Sequence, residues 1–241
     1  GGGLPPICDA YRTGGGIDWA DFPGLIGAQE LANRPMFRHL LAQDWLPAIP
    51  DVHAKLQAGA NVADLGTGAG WSAIAIARAF PSTHVDGLDI DAQSIELARA
   101  NSQAEGLDPE RLRFHHVDAG QHHLDGRYDL VTIIEALHDV SRPVDVLTAA
   151  RNLLAPGGTV LVVDEKVAEG FSAPGDEIER LMYGYSIFFC LVNARVDAES
   201  AATGTVMRPS RLREYATSAG FSSVTVLPIE HDVFRFYRLD P

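Results

Sequence analysis

One short segment restricts the fold of this chain more than any other. The segment Asp64-Leu65-Gly66-Thr67-Gly68-Ala69-Gly70 overlaps the end of an apolar run, Val62–Leu65, and precedes an alanine-rich run, Ser72–Phe80. The first run predicts a buried strand, and the second predicts a helix that Pro81 ends. Glycines between them allow a tight turn and a close approach of backbone to ligand. The segment therefore predicts a parallel sheet with a ligand site at the carboxyl end of its first strand.

The alternation of strand and helix patterns continues along the chain. Further strands are predicted at His84–Leu88, Leu112–Val117, Tyr128–Ile134 and Thr159–Val163, with helices at Ala92–Glu105, Pro143–Leu154 and Pro209–Ala219. Strands joined by helices pair in parallel through right-handed crossovers. Only four residues separate the last two predicted strands, Ser223–Leu227 and Asp232–Leu239, so these two must pair antiparallel. We expect an α/β fold, a doubly wound, Rossmann-like and mostly parallel sheet with helices on both faces.

Two stretches do not follow this alternation. Residues 1–58 are rich in proline and carry short helical patterns at Ala28–Asn33, Pro35–Asp44 and Asp51–Gln57. We expect them to form a helical cover that is not an independent domain. Residues 59–241 form the predicted main domain.

An insertion at 169–208 interrupts the main domain and contains a predicted helix, Glu177–Asn193. The aromatic-rich face of this helix either packs in the hydrophobic core or forms part of a lid. We expect a lid, shared with the helical cover and closing over the ligand. The side chains expected to contribute are Met182, Tyr185, Phe189, Tyr11 and Trp19.

Composition narrows the classes of function. With 19 basic and 32 acidic residues, the formal net charge is −13, which makes nucleic acid an unlikely partner and favours cationic ligands. The two cysteines, Cys8 and Cys190, exclude a disulfide framework. No apolar run is long enough to span a membrane and no secretion signal is visible, so we expect a cytoplasmic protein. The opening Gly1-Gly2-Gly3 is typical of a tag remnant or of the removal of an upstream domain.

The glycine turn is compatible with only some nucleotide ligands. Asp89 ends the second predicted strand, where a carboxylate can accept hydrogen bonds from the two hydroxyls of a ribose. Trp71 occupies the position of the third glycine in the dinucleotide-binding fingerprint, which weakens the case for an NAD-dependent dehydrogenase. No Walker lysine follows, which disfavours a nucleoside triphosphate.

Four motifs carry a resemblance to a known family. The sequence has D-L-G-T-G-A-G at 64–70, G-L-D-I-D at 87–91, V-D-A at 117–119 and L-A-P-G-G at 154–158. With these motifs it resembles the class I S-adenosylmethionine-dependent methyltransferases, over about Asn61–Leu239. The resemblance implies a seven-stranded sheet with one antiparallel strand, S-adenosylmethionine as cofactor and S-adenosylhomocysteine as product. It also implies a small-molecule methyl acceptor. Relatives of this type carry an N-terminal winged-helix domain that forms a homodimer, and we expect that domain to be missing from this sequence.

The resemblance also implies a set of cofactor-binding residues. The turn glycines form the floor beneath the methionine and ribose, and Asp64 lies near the methionine amino group. Asp89 holds the ribose, while Asp118 faces the adenine amino group beside the backbone N–H of Ala119. Glu135 lies where the methionine end and the acceptor meet. The full set is Asp64, Gly66, Thr67, Gly68, Gly70, Asp89, Ile90, Asp118, Ala119 and Glu135.

Each of these roles has a structural alternative. The glycines can be turn residues alone. Asp89 can cap the following helix, although Asp91 is better placed for that. Asp118 can be an ordinary loop carboxylate.

His138 is the strongest catalytic candidate, with Asp139 beside it. It follows the fourth predicted strand, where a side chain lies at the mouth of the sheet. Transfer of a methyl group to a hydroxyl requires removal of a proton, and a neutral imidazole can accept one near pH 7. The stretch resembles the L/C-H-D motif of plant-type small-molecule O-methyltransferases, in which the histidine is the general base, although Val140 replaces the usual tryptophan. The alternative is that His138 only caps the loop before Pro143.

The remaining histidines and Cys190 are weaker candidates. His115-His116 alternate across a strand, His122-His123 lie in a polar loop, and His231 favours a structural role. We predict no metal site, because the carboxylate and asparagine cluster of catechol-type enzymes cannot be assembled. Cys190 is interpreted as a small core residue.

The sequence therefore predicts an S-adenosylmethionine-dependent methyltransferase, with oxygen as the favoured acceptor atom. An alternative function is a cofactor-binding transcriptional regulator or sensor whose DNA-binding domain is missing from this chain. A basic recognition helix in an upstream domain would favour the regulator, and a hydrophobic dimerising helix would favour the enzyme.

Overall fold

The computed structural model describes residues 4–22, 24–121 and 127–241. Its strands are β1 Asn61–Leu65, β2 His84–Asp89, β3 Leu112–His116, β4 Tyr128–Ile134, β5 Leu154–Glu165, β6 Ser223–Val226 and β7 Phe234–Asp240. Its α-helices are α1 Leu4–Thr13, α2 Leu25–Met36, α3 Pro50–Ala58, α4 Trp71–Ala79, α5 Ala92–Ala104, α6 Pro143–Leu153, α7 Glu177–Tyr185, α8 Leu191–Ala194 and α9 Pro209–Ser218.

All seven strands belong to one sheet. Their order is β3-β2-β1-β4-β5-β7-β6, and β7 runs antiparallel to both of its neighbours. Strand order reverses between β1 and β4, which places a crevice at the carboxyl ends of these two strands. The predicted doubly wound sheet with a single antiparallel strand is confirmed.

Apolar layers cover both faces of the sheet. On one face, α4 and α5 pack together with the segment around Trp45 into a single buried cluster. On the other face, α6 and α9 cover the sheet through side chains such as Leu147 and Leu212. The strands β1, β4 and β5 are almost continuously apolar. This is the pattern typical of parallel strands that are buried on both faces, as these three are.

The helical cover, residues 4–58, differs in detail from the sequence prediction. Pro35 was expected to begin a helix, but it lies inside α2, and a π-helical stretch, Phe37–Trp45, continues the same helical run. Proline cannot donate a backbone hydrogen bond, and its ring disturbs the preceding turn. The helical run nevertheless continues, because Phe37, Leu41 and Trp45 are buried against the main domain.

The insertion contains a helical run close to the predicted Glu177–Asn193, but the run is not a regular α-helix throughout. After α7, the backbone widens into a π-helical turn, Ser186–Cys190, and then returns to α8. Val192 of α8 packs with Ile7, Ala10, Ile17 and Phe22 of the helical cover, so the two segments share a small apolar cluster. Among the described residues, no helix has the length and apolar character needed to cross a membrane.

Candidate active site

A cavity of about 290 Å³ opens at the carboxyl ends of β1, β2 and β4. Its floor consists of the glycine turn after β1 and the residues that follow β2, β3 and β4. Its roof comes from the helical cover and the insertion. The residues that line it are Asp18, Trp19, Ile26, Gln29, Glu30, Asn33 and Phe37 of the cover and Asn193, Val196 and Asp197 of the insertion. The volume and the position at the strand-order reversal are those of a small-molecule site.

The glycine turn has left-handed backbone at the positions that shape the floor. Gly66 has φ +72°, and a Cβ there would lie 2.5 Å from the Cβ of Ala136, so no side chain fits. Gly68 has φ +53°, but a Cβ there would meet no atom within 4 Å. The backbone at Gly68 therefore faces open space and can approach a ligand, while Gly66 allows the turn after β1 to pack closely against Ala136, which follows β4.

Asp64 lies beneath the cavity and does not line it. Its side chain is 1% exposed and accepts hydrogen bonds from the hydroxyls of Thr67, Ser72 and Thr132 at 2.5–2.7 Å. Burial raises the pKa of Asp64, and the three hydroxyls oppose that rise. The sequence predicted Asp64 beside the methionine amino group of the cofactor. In the structure, its carboxylate instead binds three hydroxyl groups beneath the glycine turn.

Asp89 lines the cavity at the end of β2, as expected. One carboxylate oxygen accepts the N–H of Gly68 at 2.8 Å, and the other accepts the N–H of Asp91 at 2.9 Å. Asp91 caps α5 through the N–H of Ser94, so the capping alternative for Asp89 is wrong. Ile90 also lines the cavity with its side chain 65% exposed, an apolar surface that a flat ligand would cover.

Asp118 and Ala119 line the same end of the cavity, just after β3. The carboxylate of Asp118 accepts the backbone N–H of Gly120 at 2.9 Å and lies 3.6 Å from the guanidinium of Arg142. Thr67 and Gly68 complete this end, whereas Gly70 packs against the ring of Phe114. His122 and His123 lie outside the described residues.

Glu135 lines the cavity from a strained position at the end of β4. Its φ is +54°, an unfavourable value for a residue with a side chain. Burial raises the pKa of Glu135 to about 7, while His138 and a hydrogen bond from Asn33 of α2 act in the opposite direction. The carboxyl group therefore changes charge near neutral pH.

His138 was predicted at the mouth of the sheet, but it is not among the residues that line the cavity. The residue is 2% exposed, because the 3₁₀ turn Leu137–Asp139 directs the imidazole beneath the floor towards the end of β5. Its Nδ1 lies 3.0 Å from Asp164 and 3.1 Å from Glu165, and its Nε2 lies 3.4 Å from Asp139. Asp139, by contrast, does line the cavity.

The cluster around His138 is strongly acidic. Burial alone would lower the pKa of His138, but Asp139, Glu165 and Asp164 together raise it well above the usual value. With a carboxylate close to each ring nitrogen, the cluster favours the protonated imidazolium. Burial would raise the pKa of Asp164, but His138 lowers it, while the pKa of Glu165 rises well above the usual range because of burial.

Asp164 and Glu165 were missed in the sequence because they end an apolar strand and carry no motif. The donor atoms of His138, Asp164 and Glu165 lie within 4.8 Å of one another, a set that could also hold a metal ion. Carboxylate oxygens of Asp139, Asp164 and Glu165 are buried without a hydrogen-bond partner. The imidazolium supplies the cation that this cluster needs.

Cys190 contacts the far side of the same cluster. It lies with His138 and Asp139 in a second group of close donor atoms, and burial raises the pKa of its thiol. A protonated thiol is a weak nucleophile, in agreement with its interpretation as a core residue.

The remaining candidates have structural roles. His115 pairs with Asp86 at 2.7 Å, while the Nδ1 of His231 accepts the backbone N–H of Phe234 and the ring packs on Trp45. Of the aromatic residues expected in the lid, only Trp19 lines the cavity. Met182 is buried, Phe189 packs on Phe22, and the Tyr11 hydroxyl donates to the carbonyl of Ile187; Tyr185 is exposed.

The cavity lining is strongly negative. Its one cationic side chain among the described residues is Arg142. In the part of the chain that the structure describes, nine acidic side chains line the cavity: Asp18, Glu30, Asp89, Asp91, Asp118, Glu135, Asp139, Asp145 and Asp197. Such a lining attracts a positively charged ligand.

Comparisons with known proteins agree with this geometry. A family model described as a methyltransferase domain matches residues 56–192, which is more than half of the chain. A ubiquinone biosynthesis O-methyltransferase of Aromatoleum aromaticum is 29% identical over 201 residues, covering 80% of this chain and 74% of its own.

Solved structures share the fold. An O-methyltransferase family protein from Burkholderia thailandensis has a TM-score of 0.67 at 18% identity, over 89% of this chain and 57% of its own. The O-methyltransferase NcsB1, solved with S-adenosyl-L-homocysteine and 1,4-dihydroxy-2-naphthoic acid, has a TM-score of 0.64 at 20% identity, over 98% of this chain and 67% of its own. This chain thus spans only part of the length of these two proteins.

Proposed function

Because this chain belongs to the methyltransferase-domain family, we propose that it transfers the methyl group of S-adenosylmethionine to a hydroxyl oxygen of a small molecule. The observation that carries the proposal is the carboxylate of Asp89 beside the open glycine turn, in a cavity lined by nine acidic side chains. The O-methyltransferase names of the relatives support oxygen as the acceptor atom.

The described residues fit this cofactor. Each oxygen of Asp89 accepts only one backbone N–H, which leaves acceptor capacity for both ribose hydroxyls. Ile90 presents exposed apolar surface for the adenine, with Asp118 and Ala119 close by. Glu135 and Asp139 place negative charge at the other end, where the sulfonium would lie. When bound, S-adenosylmethionine supplies an electrophilic methyl group.

We propose Asp139 as the residue that receives the proton of the acceptor. Its side chain contributes to the cavity lining, while its Oδ1 is buried and lies 3.4 Å from Nε2 of His138. Burial raises the pKa of Asp139, although His138 opposes the rise. A carboxylate with a raised pKa is a stronger base than an exposed carboxylate. To accept the proton, it needs one oxygen within hydrogen-bond distance of the acceptor hydroxyl.

His138 acts through Asp139 and is a positioning residue. As an imidazolium it lies between Asp139 and Asp164, so it fixes the turn and stabilises negative charge on Asp139. The roof contributes by excluding water, which strengthens these electrostatic interactions.

Calorimetry tests the cofactor assignment directly. We expect micromolar binding of S-adenosylmethionine and S-adenosylhomocysteine, no comparable binding of NAD, and a loss of at least tenfold in Asp89→Ala. The control is Glu96→Ala, which removes an exposed carboxylate from the helix that follows Asp89. Preference for NAD, or unchanged binding in Asp89→Ala, would contradict the proposal.

Transfer of a radiolabelled methyl group to a panel of phenols and catechols tests the chemistry. We expect Asp139→Asn to lower kcat by about 100-fold while cofactor affinity stays within a few-fold. His138→Gln should shift the pH profile of kcat rather than abolish transfer. Full activity in Asp139→Asn would refute its role as the base.

A further inference from the structure

We propose that the carboxylate of Glu30 binds the amino group at the methionine end of the cofactor. The inference rests on the proposed function, because it assigns a partner to one group of S-adenosylmethionine in the same cavity. Glu30 belongs to α2 of the helical cover and lines the cavity. No motif in the sequence indicated this residue, because α2 lies outside the region that resembles the family.

Two donors of the main domain hold the side chain of Glu30 in place. Its Oε1 accepts the indole N–H of Trp71 at 2.9 Å and the amide N–H of Asn101 at 3.2 Å. The amide of Asn101 also donates to the carbonyl of Ala69, within the glycine turn, at 3.0 Å. Although Glu30 comes from the helical cover, it is therefore fixed to the turn beside which the cofactor is proposed to bind.

The second carboxylate oxygen of Glu30 is available to a ligand. Both donors reach Oε1, and no other described residue donates to Glu30 or forms an ion pair with it. Oε2 is not one of the buried oxygens that lack a partner, so it is accessible. The basic residue of α2, Arg34, lies 4.2 Å over the ring of Trp71 and does not line the cavity. A cation with N–H donors would complete the hydrogen bonding of Glu30.

The cavity-facing side of α2 extends from the glycine turn to the end of β4. Glu30 and Asn33 are three residues apart and both line the cavity, and such side chains have Cβ atoms about 5–6 Å apart. Asn33 donates a hydrogen bond to Glu135, near which the sulfonium is proposed to lie. In S-adenosylmethionine the amino nitrogen is four bonds from the sulfonium sulfur, a span of similar length. A sulfonium beside Glu135 therefore brings the amino group within reach of Glu30.

The amino group requires a partner other than Asp64. The resemblance assigned this role to Asp64, but its carboxylate lies beneath the glycine turn, accepts three hydroxyls and does not line the cavity. Glu30 offers a carboxylate oxygen above the same turn. A hydrogen bond between an ammonium group and a carboxylate is about twice as strong as one between neutral groups. Glu30 thus supplies the negative charge that Asp64 cannot present to the cofactor.

Three adenosine compounds isolate the contribution of the amino group. S-adenosylhomocysteine carries both the amino and the carboxylate group, 5′-S-(3-carboxypropyl)-5′-thioadenosine lacks only the amino group, and 5′-methylthioadenosine lacks both. Each compound is titrated by calorimetry into the purified protein. We expect the wild type to bind S-adenosylhomocysteine at least about tenfold more tightly than the compound that lacks only the amino group.

Glu30→Gln tests the residue while keeping its hydrogen bonds to the main domain. The amide oxygen of glutamine can still accept from Trp71 and Asn101, but an NH2 group replaces the second oxygen. We expect the affinity for S-adenosylhomocysteine to fall about tenfold, while the affinities for the other two compounds change by less than about twofold. The control is Asp197→Asn, which removes one negative charge from the part of the lining that the insertion supplies and should not change the preference for the amino group.

The outcomes separate this inference from the proposed function. Failure of S-adenosylhomocysteine to bind the wild type would refute the proposed function itself. Normal binding that Glu30→Gln leaves unchanged would overturn the role of Glu30 alone. Equal losses for the compounds with and without the amino group would also overturn it, because Glu30 would then only shape the cavity. The same loss of preference in Asp197→Asn would attribute the effect to the general charge of the lining and overturn the specific contact.

Discussion

The floor and the roof of the cavity are built by different means. Floor residues such as Asp89 and Glu135 lie at strand ends, and the topology of the sheet brings those ends together. The roof forms where residues 14–18 meet residues 192–195, a contact between chain segments 176 residues apart. We therefore expect cofactor binding to depend on the sheet, and acceptor binding to depend on a long-range contact that can be loosened separately.

Asp64 offers the strongest test of the floor. Asp64→Ala leaves the buried hydroxyls of Thr67, Ser72 and Thr132 without their common acceptor. Because buried unpaired polar groups are costly, we expect the free energy of unfolding to fall by about 3 kcal/mol, together with loss of cofactor binding. Urea denaturation followed by circular dichroism measures the first effect, and calorimetry measures the second.

Asp64→Asn is the matched control for this change. The amide retains one oxygen acceptor and nearly the same shape, so the loss of stability should be smaller than in Asp64→Ala. If Asp64→Ala has the same urea midpoint as the wild type, the hydrogen bonds of Asp64 do not stabilise the glycine turn. The floor would then be no more stable than the roof.

The floor was largely predictable from the sequence because its signals are local. The glycine turn and the acid after β2 each lie within a few residues of a strand that periodicity identifies. Asp89, Asp118 and Glu135 therefore lie in the cavity as expected. Asp64 is the exception, because alternation along β1 cannot show whether a carboxylate points at a ligand or at three hydroxyls.

His138 and the roof were not predictable for a different reason. The motif located His138 beside the mouth, but only the 3₁₀ turn and the acids at the end of β5 decide that its ring points inward. Likewise, an aromatic helical face indicated a lid, yet the residues of the insertion that line the cavity are Asn193, Val196 and Asp197. Side-chain direction and long-range docking depend on tertiary packing, which local patterns do not report.

Glu135 connects the two parts of the cavity, because it belongs to the floor and accepts a hydrogen bond from Asn33 of the helical cover. Its pKa of about 7 means that it gains negative charge between pH 6 and pH 8. We therefore expect the affinity for cationic S-adenosylmethionine to rise by up to about tenfold over that range, since the ionised fraction rises by that factor. S-adenosylhomocysteine, which lacks the sulfonium and has no net charge, should show a smaller rise. Calorimetry at both pH values measures the affinity of each compound.

The free energy of unfolding should fall as pH rises, in the opposite direction to the affinity for S-adenosylmethionine. Because the folded-state pKa of Glu135 is raised, the group contributes stability that is complete below its unfolded pKa near 4.5 and lost as pH rises through about 7. Glu135→Gln should therefore flatten both pH profiles. A wild-type S-adenosylmethionine affinity that does not change from pH 6 to pH 8 would contradict this account of the cofactor end.

The smallest expected effect concerns the roof alone. A Cβ at Gly16 would lie 2.4 Å from the backbone of Arg195 and Val196, which cannot move aside as a flexible side chain could. Gly16→Ala should separate the two roof segments at a local cost of about 1–2 kcal/mol, raising hydrogen exchange at the amide of Ile17, which is bonded to Val192. Gly15→Ala is the control, because its Cβ would meet only Thr13 at an ordinary 3.5 Å.

If the two segments are separable from the sheet, Gly16→Ala weakens acceptor binding several-fold and leaves S-adenosylhomocysteine affinity nearly unchanged. Equal loss of both affinities would mean that floor and roof form one cooperative unit.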